Sequence, residues 1–276
     1  MKTLYITDLD GTFLDPSAHV SQNSAEIINK LIDDGLLFTI ATARTYATVI
    51  PLFKEVHLKL PLVLMNGVCI YDPIQKKTLA IHGIEPQVGK EVRSIFSKYG
   101  KYPLFYFEND SKMTVRYEHI DNRYIQSYIC EREDFFNKTF EEVNSIDFEN
   151  GKLVYIVTLD EKENLEKIHS NMLCIPELDC NFYLDNYTSC FFLEAMAAGR
   201  NKASGADEVK KMLGVDKVVA FGDNINDIPL FHFADECYAV ENACEELKAI
   251  ATGIIESNDR DAVAKFIEKK FYEEKE

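Results

Sequence analysis

Two aspartates stand two residues apart near the start of the chain, in the sequence Asp8-Leu9-Asp10-Gly11-Thr12. They follow the apolar run 4–7, which predicts a buried strand. Like charges this close repel each other and resist burial unless a cation or a catalytic task holds them there. Taken alone, the pair fits an acidic turn after a strand equally well, so the rest of the chain must decide between the two interpretations.

Further polar side chains follow other predicted strands. Thr42 follows the apolar run 36–41, and Asn66 follows the run 60–65. Asp223, Asn226 and Asp227 come directly after the run 218–221. In open α/β sheets, ligands bind just outside the carboxyl ends of the strands. We therefore expect these residues, together with Asp8 and Asp10, to form one site, with Lys202 opening the helix before the last of these strands.

The chemistry that such a set supports can be read from its charges. Several carboxylates and an amide oxygen around one point favour a hard divalent cation, and Mg²⁺ is the expected one. A lysine and a threonine nearby favour an anion, and a phosphate group can bridge the metal and the ammonium. One carboxylate can then attack phosphorus to form an aspartyl-phosphate, while its neighbour protonates the departing oxygen.

Alternating strand and helix patterns surround these residues at both ends of the chain. They predict an α/β fold with a Rossmann-like, doubly wound parallel sheet. Between the two ends, strands pair directly and helices are grouped between them, which predicts an inserted α+β domain. The predicted division is a discontinuous core, 1–83 with 188–276, and an insert, 84–187. The strand predicted at 191–194 is assigned to the core.

Composition excludes several classes of function. The chain has 276 residues with 46 acidic and 30 basic side chains, a formal charge of −16, which disfavours binding to nucleic acid or to an anionic membrane surface. No stretch approaches the ~18 apolar residues of a membrane span, and the seven cysteines are scattered. We expect a cytoplasmic protein without disulfides or a zinc site, either a monomer or a weak homodimer.

The order of these residues resembles the four sequence motifs of the haloacid dehalogenase superfamily. The motifs are Asp8-x-Asp10-Gly11-Thr12, Thr42, Lys202 and Gly222-Asp223-x-x-x-Asp227. The insert between the second and third motifs resembles the large cap of the Cof-type (class IIB) branch, which contains sugar-phosphate phosphatases. The resemblance implies a haloacid dehalogenase-like core whose inserted cap closes over the site and determines substrate specificity.

The resemblance also implies catalytic and metal-binding roles. It makes Asp8 the nucleophile, and Asp10 the general acid that then becomes the base for the hydrolytic water. It implies a Mg²⁺ ion held by the carboxylate of Asp8, the backbone carbonyl of Asp10 and the carboxylate of Asp223. Asp227 would complete the acidic group or orient water on the metal.

Substrate-binding roles are implied for further residues. Lys202 would neutralise charge on Asp8 and on the phosphoryl group, and Thr42 would hydrogen-bond a phosphate oxygen. Asn226 stands where the branch places a polar ligand, while Asn66 is either a substrate ligand or a turn residue. Ala43 departs from the glycine that is usual after Thr42, which leaves contacts of Ala43 and Arg44 with phosphate undecided.

The expected function is Mg²⁺-dependent hydrolysis of a small phosphorylated metabolite, most simply a sugar phosphate. One alternative is a phosphosugar mutase, which shares the aspartyl-phosphate but returns the phosphoryl group to its substrate. Another is a binding or regulatory protein that keeps the fold without turnover, although the intact set of aspartates and lysine argues against it. A dehalogenase is disfavoured because Asp10 supplies the acid and base that phosphoryl transfer needs.

Overall fold

The chain folds into strands and helices that alternate as the sequence predicts, giving an α/β architecture. The computed structural model describes residues 2–109, 112–136, 139–184 and 190–273. The strands are β1 Thr3–Thr7, β2 Leu37–Ile40, β3 Leu62–Leu64, β4 Cys69–Asp72, β5 Lys77–Ile81, β6 Leu104–Asn109, β7 Lys112–Tyr117, β8 Thr139–Glu142, β9 Lys152–Asp160, β10 Leu178–Leu184, β11 Phe191–Ala197, β12 Lys217–Gly222, β13 Glu236–Val240 and β14 Gly253–Ile255. The helices are α1 Gln22–Asp33, α2 Tyr46–Leu52, α3 Pro86–Lys98, α4 Arg123–Phe136, α5 Lys162–Met172, α6 Lys202–Leu213, α7 Ile228–Phe233, α8 Glu245–Lys248 and α9 Ala262–Glu273.

Two compact units divide the chain. Unit 1 combines residues 1–80 with 201–276, and unit 2 is the continuous segment 81–200. The predicted division has the same discontinuous form, but its second boundary, between 187 and 188, falls in the segment 185–189, outside the described residues. Unit 1 carries every residue that the sequence analysis assigned to the site.

The sheet of unit 1 has the strand order β14-β13-β12-β1-β2, and all neighbouring strands are parallel. Strand β1 is therefore an interior strand, between β2 and β12. Its side chains Leu4, Tyr5 and Ile6 are buried, as expected for a parallel strand covered on both faces. The predicted doubly wound parallel core is confirmed.

Strand β3 was expected as a third parallel strand, but it makes both a parallel and an antiparallel contact. A single parallel bridge, Ala41 with Val63, joins it to the end of β2. Its main pairing is antiparallel with β4, in a three-stranded sheet of order β3-β4-β5. The turn that carries Asn66 joins β3 to β4, and β4 in turn has β5 as its other neighbour.

Helix α6 has clear local signals at both ends. The side chain of Asn201 accepts the backbone N–H of Ser204, and the Ser204 hydroxyl accepts the N–H of Asn201, forming a capping box. The helix ends at Gly214, whose φ is +59°, a conformation that favours glycine. These two caps fix where the helix begins, and Lys202 is its first residue.

Unit 2 is built on a six-stranded sheet of order β10-β11-β9-β6-β7-β8. Its pairings are antiparallel apart from the parallel pair β7 and β8. Helices α3 and α5 pack together, and their apolar residues share one core with Phe105, Phe107 and Leu193 from the sheet. The α+β character predicted for this segment agrees with the structure.

Strand β11 corrects one prediction. The strand at 191–194 was assigned to the core sheet, but β11 pairs antiparallel with β10 and with β9 inside unit 2. The side chains of β11 fit this sheet. Phe191 and Leu193 pack against the helices of unit 2, whereas Glu194 lies on the opposite face of the sheet. An apolar run shows that a strand is buried, but not which sheet accepts it.

Over the described residues, every helix is too short or too polar to cross a membrane.

Candidate active site

Three strand ends meet at one edge of the unit 1 sheet, because β2, β1 and β12 are parallel neighbours. The backbone N–H of Asp8 donates to the carbonyl oxygen of Phe221 at 3.0 Å. The first residue after β1 therefore lies beside the end of β12, where Asp223 follows. Thr42 leaves the sheet on the other side of β1. The structure thus brings Asp8, Thr42 and Asp223 to one edge, as expected from their strand-end positions.

Lys202 lies at the centre of the site and is fully buried. Its Nζ donates to Oδ1 of Asp8 and to Oδ1 of Asp227, both at 2.6 Å. Burial alone would lower the pKa of Lys202, but the two carboxylates outweigh it and raise that pKa. The lysine is therefore a fixed positive charge between two aspartates, although it stands in the first turn of α6, where the helix dipole disfavours a cation.

The carboxylates outnumber the cation. Asp8, Asp223 and Asp227 each offer an oxygen atom, and these atoms lie within 4.8 Å of one another. Burial raises the pKa of Asp8 well above its usual value, against the lowering effect of Lys202. Burial, and then the charge of Asp227, also raise the pKa of Asp223. With all three aspartates ionised, Lys202 leaves two negative charges uncompensated, so the cluster favours a further cation.

Asp227 is held more tightly than its two neighbours. Besides accepting from Lys202, it accepts through Oδ2 the backbone N–H groups of Asp223, at 3.0 Å, and of Asn224, at 3.1 Å. Both of its oxygens are thus engaged by the protein. Asp223 is half-buried and accepts the hydroxyl of Thr12 at 2.9 Å through Oδ1. Asp227 therefore shapes the loop, and Asp223 keeps an oxygen that a cation can reach.

The donor set fits Mg²⁺. All ligand atoms are carboxylate oxygens, which hard divalent cations prefer over nitrogen or sulfur. Asp223 is only partly buried, so the cluster has an open side for water or a ligand. With all three aspartates ionised, the excess of two negative charges matches a divalent ion, and a magnesium ion keeps several waters rather than requiring a complete protein cage.

Gly11 gives a direct test of this cluster. Its φ is +76°, and a Cβ atom there would lie 2.4 Å from Oδ2 of Asp223. We expect Gly11→Ala to displace this carboxylate and to weaken divalent-cation binding about 10- to 100-fold, the usual range for disturbed metal surroundings. Titration calorimetry with Mg²⁺ or Mn²⁺ measures the change.

Gly35 is the matched control for this substitution. It has a similarly positive φ of +99°, but nothing lies within 4 Å of a Cβ built there. Gly35→Ala carries the same backbone strain, about 1–2 kcal/mol, without touching the aspartates. Equal cation affinity in the Gly11→Ala and wild-type proteins would contradict the role given to Asp223.

Asp10 takes a different environment from Asp8. Its side chain is 53% exposed, and both of its oxygens pair with Arg44. Nε of Arg44 donates to Oδ2 at 2.7 Å and Nη2 donates to Oδ1 at 2.6 Å. Asp10 therefore stands beside the buried cluster rather than inside it, and an arginine binds both of its oxygens.

Thr42 and Asn66 lie on the connections after β2 and β3. Thr42 is buried, its carbonyl oxygen accepts the N–H of Asn66 at 3.0 Å, and its hydroxyl accepts the N–H of Arg44 at 3.2 Å. Met65, Asn66 and Gly67 have φ values of +52°, +52° and +86°. Three consecutive left-handed residues form a strained turn. Oδ1 of Asn66 is buried without a hydrogen-bond partner among the residues that the structure describes.

The remaining predicted positions lie outside this cluster. Asn226 is exposed, in a short 3-10 turn between Asp223 and α7, and it is not among the three aspartates whose oxygens converge. Ala43 is also exposed, and its φ is not among the positive values of the described residues. The methyl group of Ala43 thus fits an ordinary backbone conformation, and the departure from glycine costs little.

Sequence reasoning gave no site role to Thr12 or Asn242, and it left Arg44 undecided. Thr12 orients Asp223, while Nδ2 of Asn242 donates to the carbonyl oxygen of Gly11 at 2.8 Å. Thr12 could have been found from its place directly after Gly11. Asn242 is 231 residues from Gly11, so only the fold brings the two together.

Known proteins resemble the chain over nearly its whole length. A family model described as haloacid dehalogenase-like hydrolase matches residues 5–267. A 5-amino-6-(5-phospho-D-ribitylamino)uracil phosphatase of Bacillus subtilis is 27% identical over 97% of both chains. A pyridoxal phosphate phosphatase of Escherichia coli is 24% identical over 94% of this chain and 95% of its own. In fold, a haloacid dehalogenase-like hydrolase from Bacteroides thetaiotaomicron matches with a TM-score of 0.78 at 22% identity, covering 98% of this chain and all of the other.

Proposed function

This chain belongs to the haloacid dehalogenase-like hydrolases, and we propose that it is a Mg²⁺-dependent phosphatase of small phosphorylated metabolites that acts through an aspartyl-phosphate on Asp8. Activity as a phosphoric monoester hydrolase follows from the family and from the relatives named as phosphatases. The metal, the substrate and the role of each residue are the proposal.

One observation carries the proposal. Lys202 is buried between Asp8 and Asp227, and Asp223 lies beside them. A protein gains little stability from three crowded carboxylates at the edge of a sheet, since burying charge is costly. Such an arrangement is useful where a cation and an anionic group must be held together, as in phosphoryl transfer.

The metal has a defined place in this proposal. Asp8 and Asp223 would hold Mg²⁺, together with the backbone carbonyl of Asp10, and Asp227 would add charge while its own oxygens hold Lys202 and the loop. When bound, the ion supplies positive charge that offsets the charge of the transferring phosphoryl group.

Asp8 is the nucleophile of the first step. Lys202 engages Oδ1, so Oδ2 is the oxygen that can bond to phosphorus. As that bond forms, the bond from phosphorus to the departing oxygen breaks, and Asp10 gives its proton to this oxygen. In the second step Asp10 takes a proton from water, the water oxygen bonds to phosphorus, and the Asp8 carboxylate and inorganic phosphate are released.

Other residues bind and orient the phosphoryl group. Thr42 has accepted a backbone N–H, and its hydroxyl proton can bond a phosphate oxygen. Lys202 offsets charge on the same group. We also assign substrate contacts to Asn66, on the turn after β3, and to exposed Asn226, which is available for a polar contact with the substrate or with water on the metal.

The substrate class rests on the relatives. Their printed names include phosphatases of a phosphoribitylamino uracil and of pyridoxal phosphate. We assign the chain to small phosphorylated metabolites of this kind and place sugar phosphates first among them. We expect unit 2 to determine which of these substrates the protein accepts. Its bounds in the structure are residues 81–200, whereas the sequence analysis predicted an insert at 84–187.

A metabolite-phosphate screen tests the proposal. We expect release of inorganic phosphate with Mg²⁺ present and a loss of at least about 100-fold when a chelator removes the metal, since several kcal/mol of charge stabilisation depend on it. Activity should return when Mg²⁺ is added back in excess. The measurement is phosphate release together with chromatography of the organic product.

The products separate the proposal from its alternatives. Free phosphate and the dephosphorylated product support the phosphatase. An isomerised phosphate ester with no free phosphate identifies a mutase. Absence of turnover above that of an Asp8→Asn variant across the whole panel leaves a binding protein on the same fold.

A further inference from the structure

The pairing of Arg44 with Asp10 is a second organised feature of unit 1, next to the aspartate cluster. Two parallel hydrogen bonds, 2.7 and 2.6 Å long, join the two groups edge to edge. This fork is the strong, directional form of the arginine–carboxylate pair. It uses both oxygens of Asp10 and therefore fixes the plane of the carboxyl group as well as its position.

Arg44 is the anchored member of the pair. Its backbone N–H donates to the hydroxyl of Thr42, and its carbonyl oxygen accepts the N–H of Met65 at 3.1 Å. Its side chain is 21% exposed, against 53% for Asp10. The backbone of Arg44 is thus tied to the ends of both β2 and β3, whereas Asp10 is the exposed residue of an otherwise largely buried turn after β1.

Helix α2 does not explain why an arginine stands at this position. Arg44 precedes Thr45, the first flanking residue of that helix, and a helix N-terminus disfavours a nearby cation. Arg44 is also one of only two arginines in unit 1, the other being Arg260. The partner that accounts for Arg44 is Asp10.

We propose that Arg44 is a positioning residue for Asp10 and holds this carboxyl group where it meets the departing oxygen of the substrate. The inference rests on the proposed function, because it needs Asp10 to transfer a proton. A general acid must lie within hydrogen-bond reach of the atom that it protonates. A half-exposed aspartate without a partner would divide its time among several rotamers, and the fork restricts it to one.

The leaving group distinguishes this role from others. Departure of a strongly basic alkoxide needs a proton, whereas departure of a weakly basic nitrophenolate needs little help. A residue that positions the acid therefore matters most for alkyl esters. Replacing a residue that binds the phosphoryl group directly lowers kcat/KM equally for all esters. Replacing a residue that only stabilises the fold leaves the ratio of kcat/KM between two esters unchanged.

Benzyl phosphate and 4-nitrophenyl phosphate form a pair of similar size for this test. With Arg44→Gln we expect kcat/KM for benzyl phosphate to fall at least about tenfold more than kcat/KM for 4-nitrophenyl phosphate, within the 10²–10⁴-fold that general acid catalysis supplies. Asp10→Asn should show the same preference more strongly. The double variant should be no worse than Asp10→Asn, because both changes remove one function.

Two further variants complete the experiment. Arg44→Lys keeps the charge but cannot form the fork. Its kcat/KM for benzyl phosphate, relative to that for 4-nitrophenyl phosphate, should therefore lie between the values of wild type and Arg44→Gln. Arg260→Gln is the matched control and should leave the ratio of the two esters at its wild-type value. Equal losses on both esters with Arg44→Gln, or additive losses in the double variant, would overturn the inference. If wild-type protein hydrolyses neither ester faster than Asp8→Asn, the proposed function itself fails.

Discussion

Replacing Asp8 by asparagine should lower kcat by roughly four orders of magnitude or more, since removal of a covalent nucleophile is among the largest losses known for enzymes. The substitution removes the attacking oxygen while keeping the shape of the side chain. Phosphate release measures kcat, and rapid acid quenching with radiolabelled substrate should trap a phosphorylated protein in the wild type and none in the variant.

Folding should survive this change. Burial raises the pKa of Asp8, so the wild-type protein bears the cost of a buried carboxylate that asparagine lacks, and Lys202 keeps Asp227 as a partner. We expect a thermal midpoint within a few degrees of the wild type. Asp15→Asn is the matched control, because the side chain of Asp15 accepts turn N–H groups from Ser17 and His19 through Oδ1, and the amide oxygen of asparagine can accept them as well. Retained turnover in Asp8→Asn would exclude the aspartyl-phosphate route.

The second large effect is expected on stability. Lys202→Met leaves Asp8 and Asp227 buried without their cation, and breaking a buried pair from one side costs about 3–5 kcal/mol. Because folding raises the pKa of Lys202, the lysine stays charged at neutral pH and loses its contribution to stability only in strongly alkaline solution. The defect should therefore be complete at neutral pH, as measured by urea unfolding.

Acidity and a second substitution test the cause of this defect. The stability gap between Lys202→Met and wild type should narrow as the pH falls, because a buried Asp8 with a raised pKa takes up a proton and needs no cation. Adding Asp227→Asn to Lys202→Met should restore part of the stability. Lys211→Met is the control on the same helix, where the lysine is 74% exposed. A gap that does not change with pH would contradict a charge-based origin.

Local patterns predict the parallel core well. A strand buried on both faces must be continuously apolar, and the runs at 4–7, 36–41 and 218–221 overlap the neighbouring strands β1, β2 and β12. Parallel strands also put their carboxyl ends at one edge, which makes the meeting of Asp8, Thr42 and Asp223 a consequence of strand order. The position of these residues could thus be anticipated, while their roles remain predictions.

Contacts between distant residues are less predictable. The sheet that accepts β11 is decided by its pairing with β9 and β10, and no property of residues 191–197 names those partners. The fork between Arg44 and Asp10 depends on the distance between two strand ends and on how the intervening turn is tied to Thr42. A single sequence shows the charges of both residues, but not that they meet.

The place of β1 between β2 and β12 has a consequence for how the protein is made. The backbone N–H of Lys2, at the start of this strand, hydrogen-bonds to Asp216, 214 residues away. Strand β1 is therefore synthesised before unit 2 and waits for one of its two neighbours until β12 has left the ribosome. Unit 2 is continuous and has its own core, so we expect it to fold during that interval. Until β12 arrives, one edge of β1 stays open to pairing with other chains, and a prematurely terminated chain carries this aggregation-prone edge permanently.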